Sequence, residues 1–536
     1  MKQSIDAQIR CEISNNPESY EGYLKLADYY FDTNMQLAYL CLENALFYCD
    51  NQEVSDSIAD TLGELITAGV YVRPASFIIL SYNNLEFTKL CLESIRRTVP
   101  QSARDIIIVD NASTDGSVEY LKEQQDIKLI CNDRNEGFPK GCNQGIEASD
   151  PNTDIFLLNN DTIMLPNSLF WLRMGLYSDA SYASAGAMSN HKTNQQWEEE
   201  SQKFDLSTSE GFDGIYEYGM SVNLPMDNPY EEKIYLIGFA LLIKREAINS
   251  IGILDERFTP GNFEDVDYGI RVLKAGMKNV LCHNSFIIHF GATSFNKDRH
   301  AYLELLHTNR MKLKDKWGFD IEYYKNARMD LINHINEPRE KELKVLELGC
   351  GLGASAAKIK YLYPNSEIYG LDICDEVIEI ANSFAKVEQT DVEIYEWPWE
   401  DEFFDYVVMG DVLEHLRYPD VVLKKLHRMV KKGGHIILSM PNVMHYSVMI
   451  PLITESKFPY RSEGILDTTH LKMYTRYEIE KLIVESGYTV ELGAFSMPIT
   501  PTPEEEKIID VFVSLMKEKD KNQYLAYQYM FKAMQI

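Results

Sequence analysis

The period of the apolar residues changes along this chain, and each change marks a new kind of structure. Up to about residue 70, Tyr23, Leu26, Ala27, Tyr30, Leu37, Ala38, Leu42, Ala45 and Leu46 recur at helical spacing. That spacing predicts helices on either side of a turn at Asp32-Thr33-Asn34. Arg73-Pro74 punctuates the chain, and short continuous apolar runs follow at 76–81, 105–110, 127–131 and 155–158, with amphipathic stretches between them. Runs of this length read as strands buried on both faces, and the alternation reads as βαβ units of a mostly parallel sheet. Between 190 and 232 the pattern dissolves into Ser, Glu, Asp and Gly, which predicts a long loop or lid. Regular pattern resumes over 234–244, helical periodicity covers 301–316 and 321–336, and the charged segment 337–342 reads as a linker. A second strand–helix series runs from Val345 to about 495, and a tail of helical periodicity closes the chain.

The fold class is therefore α/β with a helical preface. Residues 17–50 have about the length of one tetratricopeptide unit and similar small and aromatic positions, with no second copy. A lone helical hairpin cannot bury its own face, so it either packs on the neighbouring domain or presents a partner-docking surface. At 536 residues the chain is too long for one hydrophobic core. A formal charge of −30 argues against a nucleic-acid partner, which demands clustered Lys and Arg. No run approaches the roughly 20 apolar residues of an integral membrane span, and the first residues hold no apolar secretion signal. Nine scattered cysteines include no Cys-x-x-Cys pair. Together these features lead to the expectation of a cytoplasmic protein with reduced thiols.

Chemistry gathers where the strands end. Ile155-Phe-Leu-Leu-Asn-Asn-Asp161 is an apolar run closing on a carboxylate, which is costly at a buried strand end unless a cation neutralises it. A hard divalent ion bridging diphosphate oxygens would do so, and Asn159 lies on the same side of the extended chain. Phe263-Glu-Asp-Val-Asp-Tyr-Gly-Ile-Arg271 packs three acids into four positions at a helix start, where capping and dipole compensation are the alternative reading. Ser285-Phe-Ile-Ile-His289 ends another apolar run in an imidazole.

In order along the chain, Phe77-Ile-Ile-Leu-Ser-Tyr-Asn-Asn84, Ile107-Ile-Val-Asp-Asn-Ala-Ser-Thr-Asp-Gly-Ser117, Asn135-Glu-Gly-Phe-Pro-Lys-Gly-Cys-Asn-Gln-Gly145, Asn159-Asn160-Asp161, the acid cluster and His289 resemble the motifs of the second family of inverting glycosyltransferases. The resemblance covers about residues 74–295. It implies a GT-A fold and a nucleoside-diphosphate sugar donor. Tyr82 and Asp110 would hold the nucleobase, and Asn135, Lys140, Asn159, Asn160 and Glu264 would line the nucleotide-sugar. Asp161 and His289 would ligate Mn²⁺ or Mg²⁺, and Asp265 would be the general base on the acceptor hydroxyl. Asn159 departs from the aspartate of many relatives. Relatives with Asn-Asn-Asp resemble rhamnosyltransferases, which implies a deoxythymidine-diphosphate rhamnose donor.

The second series opens with Lys344-Val-Leu-Glu-Leu-Gly-Cys-Gly-Leu-Gly353, a strand breaking into a glycine loop before a helix. Glycines there let a ligand approach the backbone and open a helix N-terminus. Glu367-Ile-Tyr-Gly-Leu-Asp372 ends the next strand in an acid about 20 residues on, the spacing of a ribose ligand. These segments, with Asp391, Phe404-Asp-Tyr-Val-Val-Met-Gly-Asp-Val-Leu-Glu-His-Leu416, Lys432-Gly-Gly-His-Ile-Ile-Leu-Ser-Met-Pro-Asn442 and Gly464-Ile-Leu-Asp-Thr-Thr-His-Leu471, resemble the Rossmann-like class I methyltransferases that use S-adenosylmethionine. The resemblance implies that Glu347, Gly349 and Gly351 lie against the methionine moiety, Asp372 takes the ribose and Asp391 the adenine amino group, with Gly353 and Val392 also cofactor-binding. Asp411 falls in the same cofactor-binding set. His415 is a candidate general base for a hydroxyl, His470 is the other, and positioning alone can also carry methyl transfer.

The expected segmentation is a helical, tetratricopeptide-like region at 1–70, a GT-A domain at 71–318, a methyltransferase domain at 319–495 and a helical tail at 496–536. The expected function is bifunctional: transfer of a sugar to a glycan or glycoprotein acceptor, then methylation of a sugar hydroxyl, in bacterial surface polysaccharide or flagellin glycan synthesis. Two alternatives stand beside it. The two domains act on separate substrates, or one domain is a non-catalytic scaffold that recruits a protein partner.

Overall fold

The computed structural model describes residues 6–191, 196–291 and 299–536. It divides into two compact units, Met1–Ile321 and Glu322–Ile536.

The first unit begins with helices Ala7–Asn15, Tyr20–Phe31, Met35–Tyr48 and Gln52–Thr67, the turn at 32–34 falling where the pattern places it. They pack on their neighbour: Tyr23 meets Phe170 edge-on at 5.3 Å, and their apolar face shares one core with the sheet behind. Polar groups seal the contact. Asn167 accepts from Asn44 Nδ2 at 3.1 Å and from the Tyr48 hydroxyl at 3.2 Å, and it donates to the Pro17 carbonyl at 2.9 Å. Arg173, buried, pairs with Glu43.

Behind these helices runs a sheet of eight strands: β1 (Ala75–Ser81), β2 (Arg104–Asp110), β3 (Lys128–Cys131), β4 (Asp154–Asn159), β6 (Tyr182–Met188), β7 (Tyr230–Lys233), β8 (Ala240–Ile243) and β9 (Lys278–Phe286). Its order is β3-β2-β1-β4-β8-β6-β9-β7, and a two-stranded ribbon pairs β5 (Thr162–Ile163) with β10 (Ile288–His289). The strands β3, β2, β1 and β4 are parallel, as the apolar runs predict, while β8 joins antiparallel to β4 and β6. Ser81, Asp110 and Asn159 therefore end at the same edge, where open α/β sheets form their ligand crevice.

The second unit holds β11 (Lys344–Leu348), β12 (Glu367–Asp372), β13 (Lys386–Gln389), β14 (Phe404–Gly410), β15 (Val430–Pro441), β16 (Tyr488–Ser496) and β17 (Gln528–Gln535). They form one sheet in the order β13-β12-β11-β14-β15-β17-β16, parallel except where β17 pairs antiparallel with β15 and β16. Among the described residues no helix is long and apolar enough to cross a membrane.

Four expectations need correction. The 190–232 segment, of which 192–195 lie outside the described residues, is not all loop: it holds helix Ser209–Val222 and β7. That helix carries Gly211, Gly214 and Gly219, which lower its propensity. They are there for close approach, since a Cβ on Gly219 would come within 2.2 Å of Leu165. The closing tail is not helical to its end, because β17 follows helix Pro503–Leu515 and buries Tyr529, Phe531 and Ala533 in the second unit's core. An eight-residue alternation is easily masked by the longer helical period before it. The 337–342 segment belongs to the second unit rather than linking two units: Arg339 donates to the Tyr361 carbonyl at 2.8 Å, and the Tyr406 hydroxyl donates to Glu337 at 3.2 Å. Finally, 321–336 holds only the short turns Ile321–Tyr323 and Met329–Ile332.

Candidate active sites

In the first unit the loops after β1 and β2 are stitched together. Asn83 accepts from the Thr114 amide at 2.9 Å, and the Ser113 hydroxyl accepts from the Asn83 amide at 2.8 Å. Asn83 and Asn84 both take left-handed backbone (φ 58° and 61°), which Asn tolerates better than most residues. Asp110, fully buried, accepts from the Ser113 amide at 2.8 Å and hydroxyl at 2.6 Å, leaving its remaining lone pairs for a ligand. Tyr82 stands 40% exposed at the same edge. Asn135 and Lys140 work as fasteners. Asn135 Oδ1 accepts from the Gly137 amide at 2.9 Å and from Asn111 at 3.2 Å, while Lys140 pairs with Glu136 at 2.6 Å.

The strand-end acid and imidazole do meet. The β5–β10 ribbon sets His289 opposite Thr162, so His289 Nε2 lies 3.3 Å from Asp161 Oδ1 and 3.4 Å from Asn159 Nδ2. Phe239 stacks on the imidazole at 5.0 Å, and Asn190 brackets the His289 backbone with two hydrogen bonds. His289 Nδ1 is buried with no hydrogen-bond partner among the described residues. A nearly buried carboxylate beside an imidazole, with a polar atom unsatisfied, suits a divalent cation. His191, which the sequence reading missed, has its ring 5.1 Å from that of His289; burial, then the neighbouring imidazole, holds it below its ordinary value. Asn160 is turned away to the Thr88 hydroxyl at 3.0 Å.

The three acids of the cluster part company in the fold. Asp267 is structural: Arg271 donates to it at 2.9 Å, Trp317 Nε1 at 3.0 Å, and Lys316 pairs at 2.5 Å. Asp265, half-buried at the head of helix Glu264–Lys274, accepts from the Gly238 amide at 3.0 Å and the Val266 amide at 2.8 Å. Burial pushes its pKa up, and those amides oppose the shift. Glu264 is buried with one oxygen unpartnered among the described residues; burial, then the charge of Asp265, drives it well above the usual carboxylate range. Residues 238 and 239 connect these pieces. Gly238 holds Asp265, while Phe239 covers His289 and accepts from the Asn159 amide at 2.9 Å.

In the second unit, Gly349, Gly351 and Gly353 all have positive φ (68°, 51° and 82°) between β11 and helix Ala354–Leu362. A Cβ on Gly351 would come within 2.4 Å of the Tyr324 ring. Asp372 ends β12 and accepts from the Gly351 amide at 2.8 Å and the Cys374 amide at 2.9 Å. Glu347 is buried with one oxygen unpartnered among the described residues; burial pushes its pKa up to about 8, with the Ser355 hydroxyl opposing and Asp372 adding. Asp391 accepts from the Glu393 amide at 2.9 Å, and Val392 is buried beside it. Asp411 differs from these. Arg328 at 2.8 Å, Ser439 at 2.7 Å and Gln528 at 3.2 Å occupy its carboxylate, so it anchors the half-buried Arg328 side chain.

His415 and His470 lie together, ring centroids 4.8 Å apart, just beyond β14. Burial, then His470, holds the His415 pKa below its ordinary value. Arg328, Tyr324 and Glu414 are further residues here that the sequence reading did not single out. Their only sequence signals are adjacency to a motif or, for Arg328, a lone charge in a weakly patterned stretch.

Two family models match the chain: glycosyl transferase family 2 over residues 76–252, and a methyltransferase domain over residues 321–492. Asp265 and His289 lie beyond the first matched stretch. Among curated proteins, the malonyl-[acyl-carrier protein] O-methyltransferase of Bacillus cytotoxicus is 26% identical over 126 residues, 22% of this chain and 44% of that protein. The demethylmenaquinone methyltransferase of Staphylococcus aureus is 29% identical over 127 residues, 22% of this chain and 53% of that protein. The chain thus spans about half the length of these relatives. Solved methyltransferase structures from Archaeoglobus fulgidus (18% identity, 44% of this chain, all of that chain, TM-score 0.27) and Aquifex aeolicus (15%, 42%, 98%, 0.28) are also similar.

Proposed function

We propose that this enzyme, which carries a family 2 glycosyltransferase domain and a class I methyltransferase domain, adds a sugar to a glycan or glycoprotein acceptor with inversion and methylates a sugar hydroxyl. The observation that carries the first half is the Gly238–Phe239 junction, whose two consecutive residues contact the acid Asp265 on one side and His289 of the Asp161–His289 pair on the other. Displacement at an anomeric carbon needs a base on the acceptor side and charge neutralisation on the departing diphosphate. Asp265, its pKa raised by burial, takes the acceptor proton. Tyr82 and Asp110 orient the base of a nucleoside-diphosphate sugar. Asp161 and His289 would hold a divalent metal, which supplies charge neutralisation for the diphosphate. The Asn159-Asn160-Asp161 sequence supports a deoxythymidine-diphosphate rhamnose donor.

The second half rests on the buried, under-satisfied Glu347 behind the glycine loop and on Asp372 at the end of β12. Bound there, S-adenosylmethionine supplies an electrophilic methyl group. Glu347 would hold its ammonium, Asp372 its ribose and Asp391 its adenine, with Val392 in the same cofactor-binding set. Nine cysteines, all unpaired, fit a reducing cytoplasm. Linking the sites in one chain raises the effective concentration of the newly added sugar at the second site, in the synthesis of a bacterial surface or flagellin glycan. The test is incubation with a panel of nucleotide sugars, deoxythymidine-diphosphate rhamnose among them, and S-adenosylmethionine, read by mass spectrometry. Asp265→Asn abolishes glycosyl transfer and leaves S-adenosylmethionine binding intact; loss of both refutes the division of labour.

A further inference from the structure

Glu414 sets an unusual problem. It lies in the turn Leu413–His415, immediately after β14. It is completely buried, and neither carboxylate oxygen has a hydrogen-bond partner among the described residues. A carboxyl in that position is strongly disfavoured unless something absent from the polypeptide satisfies it. One ligand atom each from Glu414, His415 and His470 lie within 4.8 Å of one another.

Both imidazoles are held by backbone carbonyls through Nδ1. His415 Nδ1 lies 3.3 Å from the Thr469 carbonyl, and His470 Nδ1 lies 2.9 Å from the Ile465 carbonyl. A carbonyl only accepts, so both Nδ1 atoms carry the proton and both Nε2 atoms present a lone pair. Backbone hydrogen bonding to the far ring nitrogen is how proteins set the tautomer and angle of a metal-binding histidine. The two loops that bring these residues together are also tied. The Leu471 and Lys472 amides donate to the Glu414 carbonyl at 2.9 and 3.2 Å, and Asp467 accepts from the Thr469 amide at 2.8 Å and hydroxyl at 2.7 Å.

We propose that Glu414, His415 and His470 form a divalent-metal site beyond the carboxyl end of β14, separate from the Asp161–His289 pair. One carboxylate and two imidazoles suit a first-row ion such as Zn²⁺, Mn²⁺, Fe²⁺ or Co²⁺, and three protein ligands leave coordination positions open. This assignment replaces the choice between His415 and His470 as general base: both are ligands. Resting on the methyltransferase reading, the site's role is to bind the acceptor hydroxyl through an open position and lower its pKa. The proton leaves to solvent, the oxygen–methyl bond forms, the methyl–sulfur bond breaks, and its electron pair remains on sulfur.

The test uses the full chain carrying Asp161→Asn, to silence the other candidate site, stripped with chelator and titrated with Co²⁺. Calorimetry gives the stoichiometry, and visible absorption reports imidazole ligation. One Co²⁺ per chain is expected, with at least tenfold weaker binding after Glu414→Gln or His470→Ala. S-adenosylmethionine affinity within twofold of the parent shows that the unit remains folded in both variants. No binding in the parent, or equal binding in all three proteins, overturns the site. With acceptor already glycosylated by the wild-type protein supplied, methylation that is suppressed by chelator and restored by Co²⁺ supports the catalytic role; methylation indifferent to chelator overturns that role. Co²⁺ bound at the three residues with no hydroxyl methylated leaves the metal site standing and refutes the acceptor reading.

Discussion

Glu347→Gln gives the sharpest reading of the second site. Burial pushes the Glu347 pKa from its ordinary 4.5 to about 8, so the protein without ligand holds this side chain as a neutral acid near neutrality. Glutamine mimics that neutral form in shape. A folded-state pKa above the unfolded value means stability is fully present below pH 4.5 and is lost as pH rises through 8. At about 1.4 kcal/mol per pH unit, the whole loss is on the order of 5 kcal/mol, and about 2 kcal/mol of it falls between pH 6 and pH 8. The measurement is urea unfolding of wild type and variant at both pH values, following the transition that shifts when S-adenosylmethionine is added. The stability advantage of Glu347→Gln grows by about 2 kcal/mol from pH 6 to pH 8. With saturating S-adenosylmethionine the trend shrinks or reverses, because an ammonium beside Glu347 favours its ionised form. A difference that is independent of pH refutes the buried-acid reading.

Other perturbations separate structural from functional groups. Asp372→Ala removes the acceptor for the Gly351 and Cys374 amides and the proposed ribose ligand. It weakens S-adenosylmethionine binding by about 1.5–3 kcal/mol in calorimetry, and unchanged affinity rules out that role. Glu43→Gln leaves buried Arg173 without its counter-charge and destabilises the first unit by about 3–5 kcal/mol in denaturant. A cost below about 1 kcal/mol shows that this pair does not hold the N-terminal helices in place. Asp267→Asn breaks the contacts to Arg271 and Lys316, lowering stability by about 3 kcal/mol while the KM for nucleotide sugar stays unchanged. An altered KM with unchanged stability assigns Asp267 to the site instead.

Much of the architecture was legible because its signals are local. The runs at 76–81, 105–110 and 155–158 became β1, β2 and β4 within a residue or so, because a strand buried on both faces must be apolar at every position. The strand-end residues Asp110, Asn159, Asp161 and Asp372 lie where sequence order alone puts them, since parallel strands deliver their carboxyl ends to one edge. The N-terminal hairpin was visible by its helical period, though not the face it would cover.

What the sequence determined by itself is the set of strands and the inventory of chemical groups at their ends, because both depend on neighbours a few positions away. Tertiary structure decided the assignment within that inventory. Three acids at 264, 265 and 267 look alike in sequence; Lys316 and Trp317 claim Asp267, the Gly238 amide claims Asp265, and burial isolates Glu264. Those partners lie tens of residues away, so no local period records them. Likewise β17 finds its place between β15 and β16, and Glu414 becomes a buried, unsatisfied acid beside His470 only when the 464–472 loop folds back over it. A side chain's role here follows from the contacts that desolvate it, and those contacts exist only in the folded chain.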